Sequence, residues 1–198
     1  ERQLTELIRG HRVDAVIFED YNKGLLDRTT VQRIADLARE NGIITSLDPH
    51  PGHPMKIQHL SVMTPNRSEA FGLAGLYCHD AVSPVEKDKN LRTVANHILK
   101  SWNVDSLLIT LGPQGMALFR KDHPLHAIPT KAREVFDVSG AGDTVISVYT
   151  LCRAAGADEH EAAEIANHAA GIVVGKIGTA VTSPGELLTV FRRNGDGA

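Results

Sequence analysis

Val13-Asp14-Ala15-Val16-Ile17-Phe18, a helical-period stretch over 30–41, and Ile43-Ile44-Thr45-Ser46-Leu47 together decide the fold. The first run is apolar and β-branched, and it ends in the polar segment Glu19-Asp20-Tyr21-Asn22-Lys23-Gly24. Such a pattern predicts a buried strand followed by a loop. In the second stretch Val31, Ile34, Ala35, Leu37 and Ala38 recur at helical spacing, and Asn41-Gly42 supplies the stop. The third run is a second strand, broken at once by Asp48-Pro49 and a loop rich in Pro, Gly and His. Strand, helix, strand in that order is a βαβ unit. It predicts a parallel sheet covered by helices, with ligands at the C-terminal strand ends.

The pattern continues outward. Ser61-Val62-Met63-Thr64 reads as a short strand before Pro65-Asn66, and Asn66 as a helix cap. Leu91, Val94, Ala95, Ile98, Leu99 and Trp102 form one apolar helical stripe. It feeds the strand Ser106-Leu107-Leu108-Ile109-Thr110, the turn Leu111-Gly112-Pro113-Gln114-Gly115 and an antiparallel strand over 116–120. Helices are expected over 141–153, entered through glycines, over about 158–175, and from Pro184 onward. The chain opens in helix-like sequence with no first strand before it, which reads as a fragment. The expected division is one α/β domain over 1–193 and a disordered tail over 194–198.

With 198 residues there is room for one domain with a substantial core. A net charge of −3 argues against a broad nucleic-acid-binding surface. No apolar run approaches the roughly 18 residues of a membrane span, and residues 1–4 lack a signal-peptide layout. Cys78 and Cys152 sit in no CxxC pattern and read as free thiols of a cytoplasmic protein.

Chemistry concentrates in Asp137-Val138-Ser139-Gly140-Ala141-Gly142-Asp143-Thr144. Small residues let a backbone turn bring several N–H groups to one anion, and the helix that begins there adds its positive dipole end. Asp143 at that entrance has two readings. It is an acid that favours the first helical turn, or it is a general base that takes a proton from an alcohol attacking phosphorus. The residues alone leave both open. No GxxxxGK[ST] motif occurs, and the glycines lack the third member and the early position of a dinucleotide fingerprint.

Residues 137–143 resemble the D-[TV]-[TS]-G-A-G-D signature of the ribokinase-like, PfkB-type carbohydrate kinases. Thr64-Pro65-Asn66-Arg67-Ser68-Glu69 resembles that family's T-P-N-x-x-E segment, and Thr110-Leu111-Gly112-Pro113-Gln114-Gly115 its T-x-G-x-x-G turn. The three stand in the family's order. Asp20-Tyr21-Asn22-Lys23-Gly24 and Val173-Val174-Gly175-Lys176-Ile177-Gly178-Thr179 narrow the resemblance. They are most similar to the kinase domain of bifunctional heptose kinase/adenylyltransferase proteins, which make ADP-heptose for lipopolysaccharide.

The resemblance implies a three-layer α/β/α domain that phosphorylates heptose 7-phosphate at its anomeric oxygen with ATP. It implies Asp143 as the base, and Gly140, Ala141 and Gly142 as the backbone anion hole. Asn66 and Glu69 would organise Mg²⁺, mostly through water. Thr110 and Gly112 would approach the nucleotide, and Asn167 would lie beside its adenine. Asp137, Ser139 and Gly178 fall near the monovalent-cation loop of some members. ATP and a sugar phosphate are the implied partners, with a homodimer left open.

Two departures limit the transfer. The family's first strands, which carry a Gly-Gly acceptor segment and a lid, have no counterpart before Glu1, so an N-terminally incomplete domain is expected. The adenylyltransferase domain is also missing. His50 stands where close heptose kinases carry Lys, which keeps fructose, ribose and related sugars open as acceptors. A nucleotide-binding module without turnover, or more remotely a dinucleotide oxidoreductase, is the reading from another class. His50, His53 and His59 share one loop and raise the question of a metal site.

Overall fold

Alternation along the central strands divides the molecule into two cores. In a computed structural model that describes residues 1–132 and 135–195, Leu107, Ile109, Ala117 and Phe119 face one side of the sheet. Leu108, Met116 and Leu118 face the other. The sheet has six strands in chain order: β1 (Ala15–Glu19), β2 (Ile44–Asp48), β3 (Val62–Met63), β4 (Ser106–Thr110), β5 (Met116–Arg120) and β6 (His126–Ile128). The first four are parallel, and β5 and β6 add antiparallel.

One face carries α1 (Arg2–Arg9), α2 (Arg28–Glu40), α3 (Arg67–Ala74) and α4 (Lys89–Trp102). The apolar stripe of α4 is buried as its spacing requires, with Trp102 1% exposed. Asp27 and Asp88 cap α2 and α4 by accepting from Thr30 N–H and Leu91 N–H. The opposite face carries α5 (Ala141–Ala154) and α6 (Glu159–Val174), with α7 (Pro184–Gly195) against α6. Ala162, Ala163, Ala166 and Ala170 of α6 share a core with Val145 and Tyr149 of α5, because alanine lets the two helices approach closely. The layers are therefore α/β/α, as expected.

Differences from the sequence reading are local. β3 is only two residues, yet Ser61 N–H and Thr64 N–H still donate to Thr45 O and Leu47 O, so the ladder extends on both sides. β6 was not anticipated. α7 runs through Gly195, and 196–198 of the expected tail lie outside the described residues. Among the described residues no helix is long and apolar enough to cross a membrane.

The site is aimed by α5. Thr150 and Ser46 share a buried 2.6 Å hydrogen bond that fastens α5 to β2. Two turns back along the helix lies Asp143, and two residues forward along the strand lies Asp48. α5 thus runs against β2 and brings its N-terminus to the strand's C-terminal end.

Candidate active site

Parallel register sets Glu19 directly beside Asp48 at the ends of β1 and β2. Like charges at such neighbouring positions repel. Asp143, third residue of α5, closes the group: one carboxylate oxygen from each of Glu19, Asp48 and Asp143 lies within 4.8 Å of the others. Burial, then the charge of Glu19, then those of Glu69 and Asp143, push the Asp48 carboxyl up to about 8. Burial and Asp143 push Glu19 up to about 7. The pair therefore holds protons near neutrality, in a cluster with no cationic side chain among the groups that shift it.

Tyr21, from the loop after β1, donates its hydroxyl to Asp143 Oδ1 at 3.1 Å. Burial and that carboxylate raise the phenol to about 12, so it stays a donor. Glu19 Oε2 is inaccessible to solvent and has no hydrogen-bond partner among the described residues. Three hard oxygen donors with one unsatisfied buried acceptor fit a hard divalent cation such as Mg²⁺.

Because the folded state raises the Glu19 pKa, it binds a proton that the unfolded chain releases. The stability this contributes is complete below the ordinary value of 4.5 and is lost as pH rises through about 7. Thermal melts should therefore show Glu19→Gln gaining on the wild type as pH is raised from about 5 to about 8. Parallel melting curves across that range would remove the burial argument.

The glycine turn forms the wall beside these acids. Gly140 is the N-cap of α5 in the left-handed region (φ 77°), with no side-chain cap. Ala141 N–H donates back to Val138 O at 3.2 Å, which takes it out of the expected anion hole. Gly142 and Asp143 N–H have no acceptor among the described residues and remain open at the helix entrance. A methyl group added to Gly142 would lie 3.8 Å from Asp48 Oδ2, so the helix entrance abuts the carboxylates. Asp137 accepts from Ser139 N–H and its carboxyl is held low by that bond and by Gly178 N–H, which brings Asp137, Ser139 and Gly178 together.

On the adjoining side, Asn66 Oδ1 accepts from Glu69 N–H at 3.0 Å and Glu69 Oε2 accepts from Asn66 N–H at 2.7 Å. This capping box starts α3 and leaves Asn66 Nδ2 and Glu69 Oε1 for other partners. Asn66 also bridges Thr110, and Gly112 (φ 57°) opens the next turn, so those residues adjoin. Asn167 is 3% exposed and does not face solvent. Its amide donates to Pro129 O at 2.7 Å, pinning the segment after β6 to α6.

The three loop histidines do not converge. His50 accepts from Gly52 N–H, while His53 pairs with Asp20 and His59 with Asp36. Glu19, Asp48 and Tyr21 were the site residues missed. Their signal was a carboxylate ending each of two strands of one βαβ unit.

Residues 12–185 match the family described as pfkB family carbohydrate kinase. The Bifunctional protein HldE of Geobacter sulfurreducens is 36% identical over 190 residues, covering 95% of this chain and 37% of that protein. The Shewanella baltica protein of the same name is 42% identical over 176 residues, covering 89% and 35%. The chain thus spans little more than a third of the curated relatives it matches. Among solved structures, Arabidopsis thaliana ribokinase complexed with ribose and ATP superposes with a TM-score of 0.79 at 20% identity, over 97% of this chain and 59% of that one. Escherichia coli phosphofructokinase-2 in complex with potassium gives 0.77 at 18%, over 97% and 61%. These two likenesses show a ribokinase-like fold.

Proposed function

This chain belongs to the pfkB family of carbohydrate kinases, and from that premise we propose that it supplies the nucleotide-binding and phosphoryl-transfer part of an ATP-dependent sugar kinase acting on heptose 7-phosphate. The observation that carries this reading is Asp143 standing beside the open amides of Gly142 and Asp143 at the C-terminal edge of the sheet. A base and an anion site share one helix entrance. In the reaction the Asp143 carboxylate accepts the proton of the anomeric hydroxyl as its oxygen bonds to the γ-phosphorus. The bond to the β-phosphate oxygen breaks, leaving ADP. Charge on the transferring group falls to the Gly142 and Asp143 N–H groups and the dipole of α5. Tyr21 donates to one oxygen of that carboxylate, Oδ1.

Thr110, Gly112 and Asn167 form the nucleotide side. Asn66 and Glu69 would help hold, through water, the Mg²⁺ that accompanies ATP, beside the Asp48 carboxyl that Glu69 already influences, and the ion would supply neutralisation of phosphate charge. Asp137, Ser139 and Gly178 form the turn that suits a monovalent cation. The likeness of residues 20–24 and 173–179 to heptose kinase domains supports the acceptor, which is taken at the anomeric oxygen in the cytoplasm.

The test is ADP release by the full-length protein with heptose 7-phosphate, fructose and ribose in turn. Heptose 7-phosphate is expected to give the largest kcat/KM. A preference for fructose or ribose would overturn the acceptor. Binding of Mg-ATP with no sugar-dependent ADP release would make the domain a nucleotide-binding module instead.

A further inference from the structure

At the edge of the sheet away from this cleft, Arg120 closes β5 opposite Ser106, the first residue of β4. Its Nη2 lies 2.6 Å from Nε2 of His160, in the first turn of α6, and its Nη1 lies 3.3 Å from Glu159 Oε2. A guanidinium has only donors, so the imidazole nitrogen must be the acceptor. That bond exists only while His160 is neutral, with Nε2 bare and any proton on Nδ1. The ring of His126, from β6, stands edge-on to His160 with centroids 4.4 Å apart at 84°. His126 Nε2 is inaccessible and lacks a hydrogen-bond partner among the described residues, with Glu164 Oε1 3.9 Å away. β5, β6 and α6 therefore meet around the His160 ring.

We propose that the Arg120–His160 hydrogen bond is a proton-sensitive latch that holds the start of α6 onto the β5–β6 hairpin. A proton taken from solvent by Nε2 occupies the lone pair that accepts from Arg120. The bond is lost and an imidazolium is left facing a guanidinium. The titratable and charged groups around the latch are Arg120 from β5, His126 from β6, Asp158, Glu159 and Glu164 on α6 and its cap, and Arg153 with the neutral phenol of Tyr149 from α5. The carboxylates favour the proton, but burial, Arg120 and His126 outweigh them and hold His160 below its ordinary 6.5. A base depressed by folding takes up its proton more readily in the unfolded chain. Its stabilisation is complete above about 6.5 and is lost as pH falls from there toward the depressed value. Seven residues along the same helix, Asn167 holds Pro129 O.

His160→Gln keeps a side-chain oxygen for Arg120 and cannot titrate. Melting temperatures of wild type and variant are compared from about pH 7.5 to about 5.5. Buried His168 is also held low, and it contributes equally to both proteins. The wild-type decline is expected to exceed the variant's by roughly 2–4 °C. Equal declines would overturn the latch. If His160→Gln fails to fold, nitrogen-edited NMR of the wild-type imidazole decides. Nε2 unprotonated at neutral pH with a midpoint below 6.5 supports the latch, and a midpoint at or above 6.5 overturns it.

Discussion

Asp143→Asn is expected to lower kcat by roughly 10²–10⁴-fold while leaving the apparent affinity for ATP within a few-fold. The amide is nearly isosteric with the carboxylate and can still accept from Tyr21, so the helix entrance and its open N–H groups persist. What it lacks is the ability to take the acceptor proton. Asp143 is exposed at the start of α5, so stability should change little. Initial rates of ADP formation by the full-length protein, with and without sugar, read the effect. A mutant with the wild-type rate would leave the carboxylate as no more than a first-turn acid.

The second large effect falls on stability. Gly115→Ala is expected to destabilise the fold by about 3–5 kcal/mol, combining backbone strain with a clash. Gly115 adopts φ 89° and ψ −123°, a region that residues with a Cβ rarely enter. An added Cβ would lie 2.0 Å from Ile128 O and 2.5 Å from Thr130 N, both backbone atoms that cannot swing away. The last glycine of the Thr110-to-Gly115 turn therefore lets β6 and the segment after it pass close to the hairpin. That segment is the one Asn167 holds, so the same substitution should also weaken nucleotide binding in whatever fraction folds. Denaturant melts measure the loss, and a change under about 1 kcal/mol would contradict the packing described.

How far the sequence led depends on the length over which each signal repeats. The βαβ unit was legible because Val31, Ile34, Ala35 and Ala38 keep one helical face between two short runs rich in β-branched and apolar residues. α4 was legible for the same reason, and the Asn66–Glu69 capping box follows directly from its spacing. β6 was not, since three residues with two of them half-buried carry too little periodicity.

Within the site, Gly140 and Asp143 stood out as a local cluster, whereas Glu19 and Asp48 did not. Their carboxylates are 29 positions apart and meet only because β1 and β2 pair in parallel at that register. Asn167 sits on a helix of small residues, and its partner Pro129 is supplied by a strand the sequence did not disclose. The Ala141 N–H, placed with the anion hole by analogy, turns inward because Gly140 takes the left-handed conformation and closes a tight turn on Val138 O.

Mg-ADP with a planar or tetrahedral fluoride analogue of the transferring phosphoryl group gives the most direct view of the mechanism. In a crystal structure of that complex the analogue should lie within hydrogen-bonding distance of Gly142 N–H and Asp143 N–H, with the Asp143 carboxylate facing the vacant acceptor position. An analogue bound elsewhere, with those two amides hydrogen-bonded only to water or protein, would contradict the account.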